Sequence, residues 1–242
     1  MLPYLSTDSS FPSTDKALVE PNGLLAAGAD LSCKRLIDAY SLGIFPWFSG
    51  GEPIMWWSPD PRVVFFVDQF KVHKSVVKTL NKLSLRVTLN NNFEQVIIQC
   101  SQPRKEDKGN NSGTWITKEM IQAYLQLHRL GHAHSLEVWQ QDELVGGIYG
   151  ISSGGVFCGE SMFSRVSNGS KIALSCLIKY IKQFHYTLVD CQVENPHLMR
   201  LGAVSISRKR YIDILQSSQK LDLDQTIWRT QDLQWQNLLR NS

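Results

Sequence analysis

The sequence HSLEVWQQDELVGGIYGISSGGVFCGE, residues 134–160, contains three consecutive runs that are typical of β-strands. We predict strands at about His134–Gln140, Glu143–Ser152 and Val156–Glu160, because apolar and β-branched residues alternate or cluster in these runs. The dipeptide QD and the tripeptide SGG separate them and supply the turns. This stretch therefore predicts part of a β-sheet, and the elements on either side of it decide the fold class.

Helix and strand patterns alternate on both sides of these three strands. Before them we predict a strand at Leu85–Leu89 and two helices, Asn92–Cys100 and Thr117–Leu130, with a polar loop at 101–113 between the helices. After them we predict, in order, a long helix capped by Ser170 and ending near Phe184, a strand at Thr187–Val193, a short helix near Pro196–Leu201, a strand at Val204–Ser207 and a C-terminal helix. The order from residue 84, β-α-α-β-β-β-α-β-α-β, is that of the N-acetyltransferase-like fold. We therefore predict an α/β (α+β) class with helices on both sides of a mixed sheet.

The first 62 residues are predicted to form a small N-terminal domain, and residues 63–242 the acetyltransferase-like catalytic domain. A short helix is predicted at Cys33–Leu42, after a cap at Asp30 or Ser32. The segment GIFPWFSGGEPIMWWSPDPR, residues 43–62, is dense in proline, glycine and tryptophan. We predict that it forms neither helix nor strand but a rigid aromatic surface, made by Trp47, Trp56 and Trp57.

The composition is that of a soluble globular protein. Of 242 residues, 43% are hydrophobic and 19% are charged, which excludes a disordered chain. We see no signal peptide and no apolar run long enough for a membrane span, so we expect no membrane association. The five cysteines are odd in number and scattered, without a C-x-x-C pair. That pattern predicts reduced thiols in a cytoplasmic protein rather than a disulfide framework or a zinc site.

Charge is distributed unevenly along the chain. Residues 1–60 contain seven acidic and three basic residues, whereas residues 61–90 contain six basic residues and one acidic residue. Within the basic region we predict a helix at Lys71–Asn81, with Lys74, Lys78 and Lys82 along one side. The asymmetry suggests a polyanion that touches this region, and a solvated lysine face is the alternative.

The predicted strand TLVDCQV, residues 187–193, carries the first candidate for chemistry. Because successive side chains on a strand alternate between faces, Asp190 and Gln192 should point the same way and Cys191 the other way. An acid and an amide on one face can orient an incoming amine and its leaving proton. Alternatively, Asp190 caps the following turn and Gln192 lies at the sheet edge.

The second candidate is Glu160, in the apolar stretch VFCGESMF, residues 156–163. A carboxylate in such a strand is unfavourable to bury unless it meets a cation. Glu160 is therefore either a receptor for a positively charged substrate group or one half of an internal salt bridge.

Metal binding is the third possibility that the sequence raises. His128, His132 and His134 are close together, but a glycine breaks the predicted helix between the first two. No cysteine or aspartate completes a ligand set nearby. We therefore predict no metal and no cofactor.

Several aromatic residues offer flat rings. Tyr40, Trp47, Trp115 and Tyr124 can stack on nucleic-acid bases with little sequence specificity. Core packing is the alternative for each of them. Trp47 is the hardest to bury, because its proline-rich segment shows no periodicity.

Longer blocks of the sequence resemble one family. The blocks EPNGLLAAGADLS, AYSLGIFPWFSGGEPIMWWSPDPR, GTWIT, LHRLGHAHSLEVW, ELVGGIYGI, FCGESMFSR and DCQVENPHL occur in the order found in leucyl/phenylalanyl-tRNA–protein transferases. The resemblance runs from about Phe11 to Tyr211. It implies a cytoplasmic bacterial enzyme that transfers Leu or Phe, and less readily Met, from aminoacyl-tRNA to proteins beginning with Arg or Lys. Such a transfer marks the acceptor for N-degron degradation.

The resemblance also implies residue roles. The residues matching Asp190 and Gln192 act on the attacking amine. We interpret Gln192 as an acceptor that orients the amine, with Asp190 fixing Gln192 or taking the proton through water. Glu160 would hold the cationic end of the acceptor. The other expected substrate contacts are an apolar pocket for the donor side chain at Ile148, Phe157, Met162 and Val189, and aromatic contacts at Tyr40, Trp47, Trp115 and Tyr124.

The remaining expectations concern partners. From the basic helix and the strand after it, we expect tRNA contacts at Lys74, Lys78, Lys82 and Arg86. We expect the enzyme to act as a monomer.

Two other functions fit part of the sequence. An acyl-CoA N-acyltransferase shares the element order, but it usually grips pyrophosphate with [QR]-x-x-G-x-[GA] before the long helix, where this chain has RVSNGSK, residues 165–171. A non-catalytic RNA-binding module would explain the basic helix. It would not explain Asp190, Gln192 and Glu160.

Overall fold

The structure, a computed structural model, describes residues 1–103 and 115–239. Most of the polar loop predicted at 101–113 lies outside these residues, as do the Gly113 and Thr114 of the GTWIT block. The strands are β1 (Tyr4–Leu5), β2 (Leu24–Gly28), β3 (Phe45–Pro46), β4 (Met55–Trp57), β5 (Arg62–Phe66), β6 (Arg86–Leu89), β7 (Ala133–Gln140), β8 (Glu143–Ser153), β9 (Val156–Ser164), β10 (Leu188–Gln192), β11 (Val204–Ile206) and β12 (Gln231–Leu233). The α-helices are α1 (Cys33–Ser41), α2 (Lys74–Leu83), α3 (Phe93–Cys100), α4 (Lys118–Arg129), α5 (Gly169–Lys182), α6 (Pro196–Arg200), α7 (Arg208–Ser218) and α8 (Trp235–Leu239).

The described strands form two sheets. The smaller has the order β1-β2-β4-β3, and the larger has the order β11-β5-β10-β9-β8-β7-β6-β12. In the larger sheet β9 and β10 are parallel, and the other neighbouring pairs are antiparallel. The parallel pair follows from its connection, because α5 carries the chain back before β10 begins. The predicted α/β class with a mixed sheet is confirmed, and the predicted element order is found from β6 to α7.

Two strands of the larger sheet, β5 and β12, and the helix α8 were not predicted. The strand β5 lies between β10 and β11 in the sheet. After α7 the chain adds β12, which pairs with β6, and α8. Both additions pair residues that are far apart in sequence, so local patterns do not reveal them.

Apolar cores cover both faces of the larger sheet. One core contains α2, α5 and α8, and the other contains α1, α3, α4, α7 and the small sheet. The strand β5 shows how the pleat divides its residues, since Val63 belongs to the first core and Val64 to the second. Helices therefore lie on both sides of the sheet, as predicted.

Several helix starts follow the capping chemistry of the sequence, whereas α2 and α5 begin without a side-chain cap. The Ser32 side chain caps α1 by accepting from the Arg35 N–H, and Thr117 caps α4 by accepting from the Met120 N–H. The predicted cap at Ser170 is wrong, because α5 begins at Gly169 after Asn168, whose φ is +63°. The Ser164 hydroxyl accepts the Ser170 N–H instead, at 3.2 Å.

The tryptophan-rich segment departs most from its prediction. It contributes β3 and β4 to the small sheet, so the expectation that it contains no strand is wrong. Trp56 is 0% exposed, and its indole N–H donates to the Gly28 carbonyl at 2.9 Å. Trp57 donates to the Trp47 carbonyl at 2.7 Å, and Trp47 itself is 43% exposed. Pairing with β2, which is distant in sequence, buries Trp56.

The division into domains at residue 62 stays a prediction. The small sheet ends at Trp57 and the larger sheet begins at Arg62, so the change of sheet falls beside the proposed boundary. Arg62 itself belongs to β5. One apolar core contains residues from both parts, including Trp56 and Val64.

Candidate active site

A cavity opens where the parallel strands separate. The strands β9 and β10 pair only over Val156–Cys158 and Leu188–Asp190, and the ends of both strands beyond that point line the cavity. The cavity has a volume of about 710 Å³. Its walls also include the end of α3, the start of α5 and the segment after β10. Because β9 and β10 separate there, residues of both strands line one cavity.

Asp190 lies behind this cavity rather than in its wall. Its side chain is 0% exposed, and it does not line the cavity. Arg62 binds both carboxylate oxygens, with Nε–Oδ1 at 2.8 Å and Nη2–Oδ2 at 2.6 Å. The Tyr211 hydroxyl donates to Oδ2 at 3.0 Å, and the Gln192 N–H donates to Oδ1 at 2.9 Å. The internal salt bridge that was considered for Glu160 is found at Asp190 instead.

Arg62 makes further contacts besides its ion pair with Asp190. Its Nη1 donates to the Gly43 carbonyl at 3.1 Å, and its guanidinium lies over the rings of Phe45 and Tyr211, at 4.8 and 4.4 Å. Burial by itself would lower the pKa of Arg62, but the Asp190 carboxylate beside it raises that pKa above the ordinary value. The guanidinium therefore stays charged and ties the segment before Trp47 to the end of β10.

A β-bulge changes the direction of the side chains after Asp190. On β5, Val64 and Val63 face Asp190 and Gln192, so Cys191 is an extra residue without a partner. Gln192 has φ of +61°, in the left-handed region. Its N–H bond to Asp190 holds this conformation. The expectation that Asp190 and Gln192 share a face is therefore wrong, and Cys191 lines the cavity together with Gln192.

Glu160 lines the cavity and interacts with neutral donors. The Tyr124 hydroxyl donates to Oε2 and the Gln192 Nε2 donates to Oε1, each at 3.0 Å. No described residue forms a salt bridge with Glu160. Burial raises the pKa of Glu160 to about 7, while the Tyr40 and Tyr124 hydroxyls oppose that rise. Because a carboxylate can only accept, Gln192 turns its NH₂ group toward Glu160 and its amide oxygen is left to accept another donor.

The four aromatic candidates divide into two pairs. Trp47 and Trp115 line the cavity. Tyr40 and Tyr124 are buried behind Glu160, where their hydroxyls contact each other. The tyrosines therefore support the carboxylate and do not offer their ring faces to the cavity.

Three of the four apolar candidates meet at the cavity. Ile148, Met162 and Val189 line it. Phe157 is 0% exposed and packs on Trp228 instead, with ring centroids 5.7 Å apart. The expected direct contact of Phe157 with this cavity is not found.

The basic residues lie outside the cavity. Lys74, Lys78 and Lys82 are exposed on α2, which begins three residues later than predicted. The Asn168 side chain, at the start of α5, donates to Thr79 of α2 at 2.9 Å, and Ser170 on α5 lines the cavity. The helix α2 therefore contacts the start of α5, whose Ser170 lines the cavity. Arg86 is separate: it forms a salt bridge with Asp232 at 3.1 Å, near the far edge of the sheet.

The histidine cluster has structural contacts. His134 is stacked on Trp228 at 4.1 Å between ring centroids, and burial lowers its pKa to about 3. His128 is stacked on Phe93 at 4.4 Å. In residues 1–103 and 115–239 we find no group of three His, Cys, Asp or Glu side chains that could hold a metal.

Sequence reasoning did not identify Arg62 and Tyr211 as part of the site. Arg62 was counted only as one of the six basic residues of 61–90. It stands directly before the apolar run VVFF, and a cation next to a buried strand indicates a need for a buried acid. That signal was available for Arg62. Tyr211 carries no comparable signal.

Comparisons with known proteins identify the family. The model described as "Leucyl/phenylalanyl-tRNA protein transferase" matches residues 64–216, and the model of the N-terminal domain of that transferase matches residues 29–60. The chain belongs to this family. Members of the leucyl/phenylalanyl-tRNA–protein transferase family are aminoacyltransferases, so this chain is an enzyme that transfers an aminoacyl group from tRNA to protein.

Individual relatives in the family are similar over most of their length. The transferase from Idiomarina loihiensis is 50% identical over 93% of each chain. The one from Erwinia tasmaniensis is 50% identical over 96% of this chain and 99% of its own. The one from Nitrosospira multiformis is 51% identical over 87% of this chain and 89% of its own.

Similarity to solved structures is much weaker. The structure of L-PGS from Bacillus licheniformis is 11% identical, with a TM-score of 0.39 over 68% of this chain. This chain spans about half of that protein's length, 54%. A likeness of this size does not establish a relationship between the two proteins.

No helix among the described residues is long and apolar enough to cross a membrane.

Proposed function

We propose that this enzyme transfers Leu or Phe, and less readily Met, from aminoacyl-tRNA to the α-amino group of proteins that begin with Arg or Lys. The product has a new peptide bond and is marked for N-degron degradation. The proposal rests on the cavity where β9 and β10 separate after Cys158 and Asp190, which we call the strand fork. An apolar wall, Gln192, Glu160, Trp47 and Trp115 all line this cavity.

The reaction needs little beyond correct placement of the reactants. The ester of an aminoacyl-tRNA is already activated, so the transfer requires no ATP. The acceptor α-amine has a pKa of about 7.7–8.0, so part of it is neutral at neutral pH. Holding two reactants in an attacking geometry can contribute about 7–11 kcal/mol in ideal cases. We accordingly assign no cofactor.

Gln192 is assigned to the attacking amine. Its amide oxygen is the hydrogen-bond acceptor left beside the cavity, once its nitrogen has donated to Glu160. Asp190 is assigned to fixing Gln192, through the backbone N–H bond that holds the left-handed conformation. Of the two roles considered for Asp190, its Arg62 partner favours positioning over proton uptake through water.

The donor side chain is assigned to the apolar wall. Ile148, Met162 and Val189 give a contact surface without hydrogen-bonding groups, which recognises size and shape loosely. Leu, Phe and Met fit that description, whereas a charged side chain would lose its hydration there. Phe157 would act by supporting this wall from the core. Trp47 and Trp115 are assigned to the terminal adenosine, by stacking.

The tRNA body is assigned to α2. Lys74, Lys78 and Lys82 are spaced over about 12 Å along the helix, since each residue rises about 1.5 Å. In the described part of the chain none of the three forms a salt bridge. Contacts with phosphates position a ligand without reading its bases, which suits an enzyme that accepts tRNAs of different sequence. Arg86 would add less to phosphate binding than these lysines, because its charge is paired with Asp232.

The acceptor is assigned to the Glu160 side of the cavity. Glu160 would attract the cationic end of the acceptor, and Tyr40 and Tyr124 would contribute by holding its carboxylate. We further propose that the enzyme works as a monomer in the cytoplasm, without a membrane partner.

Labelled aminoacyl-tRNA and short peptides test the proposal directly. Leu-tRNA and Phe-tRNA should label a peptide that begins with Arg or Lys, and the label should sit on its α-nitrogen. The same peptide beginning with Glu, and the same reaction with Asp-tRNA, should give little product. Efficient transfer from Asp-tRNA would contradict the proposal that an apolar pocket binds the donor side chain. Equal labelling of the Glu peptide would contradict the proposed preference for acceptors that begin with Arg or Lys.

A further inference from the structure

Two carboxylates lie at the strand fork, and one of them faces the cavity. Among the described residues that line the cavity, Glu160 is the one carboxylate. Asp190 is buried behind it and already accepts four hydrogen bonds, two from Arg62 and one each from Tyr211 and the Gln192 backbone. Two carboxylate oxygens offer about four lone-pair sites, so a proton arriving at Asp190 would have to displace one of these donors.

We propose, on the basis of the transfer reaction assigned above, that Glu160 is a catalytic base that takes a proton from the α-ammonium group of the acceptor. This role goes beyond attracting a positive charge, because Glu160 changes its protonation state in each turnover. The amine it generates is the nucleophile that attacks the aminoacyl ester.

The hydrogen bonds of Glu160 favour this role. Tyr124 and Gln192 fix one donor on each oxygen, which orients the carboxylate and leaves further lone pairs. The free amide oxygen of Gln192 lies next to the same carboxylate. An α-nitrogen that bonds to both groups would give one hydrogen to Glu160 while a second is held by Gln192. The two side chains would then act on the same atom of the substrate.

The electrostatic surroundings match this proton transfer. Burial raises the pKa of Glu160 to about 7, and the α-amine has a pKa of about 7.7–8.0. The equilibrium constant for proton transfer from the ammonium to Glu160 is therefore within roughly tenfold of one. A base is most effective when its pKa lies near the working pH. Titratable and charged groups approach Glu160 from several elements: Tyr40 from α1, Tyr124 from α4, Tyr149 from β8, Cys158 from β9, Asp190 from β10 and Arg62 from β5.

The step balances in atoms and charge. Glu160 takes one proton from the ammonium and becomes neutral. The resulting amine forms the new C–N bond to the ester carbonyl, and the bond from that carbonyl carbon to the ribose oxygen breaks. The second proton of the nitrogen goes to the departing ribose oxygen. Glu160 then returns its proton to solvent, which leaves an amide, a free tRNA 3′ end and one released proton.

The test compares the parent enzyme with Glu160→Gln over a range of pH. With saturating Leu-tRNA and an Arg-starting peptide, the variant should lose roughly 6- to 11-fold in kcat near pH 7, because only about a sixth to an eleventh of an α-amine of pKa 7.7–8.0 is neutral there without a base. The loss should shrink as the pH approaches the amine pKa of about 7.7–8.0, because the free amine then forms without a base. An Arg-starting peptide whose α-amine is replaced by an aminooxy group, which is neutral at neutral pH, should restore most of the lost rate. Glu143→Gln, an exposed control on β8, should match the parent throughout.

Other results would overturn the inference in distinct ways. If Glu160 only attracts the acceptor, Glu160→Gln should raise KM above about pH 7, where Glu160 is charged, with kcat unchanged, and the aminooxy peptide should bring no rescue. If the parent gives no transfer to Arg-starting peptides, the proposed function fails and the base role falls with it. A measurement independent of turnover separates these cases: the ¹³C carboxyl resonance that disappears in Glu160→Gln should titrate near pH 7 in the parent. A resonance that stays ionised down to about pH 4.5 would contradict the inference even in an active enzyme.

Discussion

The parallel strands β9 and β10 each carry a buried carboxylate, and the surroundings of the two differ in one respect. Asp190 has a cation, Arg62, bound to both of its oxygens, whereas Glu160 is held by a tyrosine hydroxyl and an amide. The first group is fully buried and paired with Arg62. The second lies in a cavity wall with a pKa of about 7.

Each kind of burial suits a different role. A buried ion pair fixes geometry, because any movement would separate two charges in a medium of low dielectric. A buried carboxylate without a cation is less stable as an ion and exchanges protons near neutral pH. The fork therefore combines a rigid anchor with a group that can titrate, and they are joined by Gln192, which contacts both.

The largest expected effect comes from breaking the anchor. Asp190→Asn leaves the Arg62 charge buried without its partner, so the free energy of unfolding should fall by about 3–5 kcal/mol. Denaturant titration measures this change. The matched control is Asp213→Asn, which removes an exposed partner of Lys209 and should change stability by less than about 0.5 kcal/mol.

A double variant separates the anchor's two roles. Arg62→Met with Asp190→Leu removes both charges, and replacing a buried pair by apolar residues is often neutral or stabilising. The double variant should therefore recover much of the stability lost in Asp190→Asn. It should remain nearly inactive, because the Gln192 N–H has lost its acceptor. An active double variant would contradict the positioning role of Asp190.

The second expected effect is an increase in the free energy of unfolding, opposite to that of Asp190→Asn. The pKa of Glu160 lies at about 7 in the folded chain and near 4.5 in the unfolded chain. The unfolded chain therefore loses the proton first as pH rises, and stability falls between about pH 4.5 and 7 by roughly 3 kcal/mol. Glu160→Gln should remove this loss. The variant should be more stable than the parent near pH 8 and equal to it near pH 4, as denaturant titrations at both pH values can check. Equal stability at both would mean that Glu160 is not destabilised by burial.

The sequence predicted the elements around this fork better than the fork itself. The strands β7, β8 and β9 and the helix α4 follow strong local patterns, such as the Thr117 cap, and were predicted within a few residues. Gln192 and Glu160 were also identified, and they do face one cavity. The bulge at Cys191 was missed, because it depends on a hydrogen bond from Gln192 to Asp190 and on the pairing with β5. The rule that successive side chains on a strand alternate between faces includes neither this hydrogen bond nor this pairing.

The partners of the two carboxylates were missed for a related reason. Arg62 and Asp190 are separated by 128 residues, and a local pattern cannot pair them. Composition placed Arg62 in a basic region, although it is 1% exposed. Trp56 was likewise assigned to a surface because its segment is irregular, whereas the strand that buries it lies about 30 residues earlier. The sequence alone does not reveal which charged groups and aromatic rings are buried by strands that are distant along the chain.

The third expected effect tests whether tRNA affinity is independent of both carboxylates. Changing Lys74, Lys78 and Lys82 to Ala should flatten the slope of log K against log salt by about 2–3 units, since each neutralised phosphate releases a counterion. That change corresponds to roughly a 15- to 60-fold difference in relative affinity between 50 and 200 mM salt. The pH profile of transfer from a short aminoacyl-adenosine donor should not change.

Exposed lysines elsewhere provide the control for this variant. Changing Lys16, Lys34 and Lys220 to Ala removes the same charge at positions outside α2. That control should keep the parent slope. If the α2 variant also keeps it, its lysines are only a solvated face, and the basic run Arg208–Arg210 becomes the place to examine next.

The smallest expected effect comes from removing a single hydroxyl that contacts Glu160. Tyr124→Phe removes the donor to Glu160 Oε2, which favours the charged carboxylate. Without it the pKa of Glu160 should rise further, by about one unit, and the acid side of the pH–rate profile should move up with it. Tyr149→Phe is the matched control, because the Tyr149 hydroxyl is buried without a hydrogen-bond partner among the described residues while its ring packs edge-on against Tyr124. Removing that hydroxyl should leave the profile in place. A shift of equal size in both variants would mean that ring packing sets the titration, and a shift toward acid in Tyr124→Phe would mean that the group observed in the profile is not Glu160.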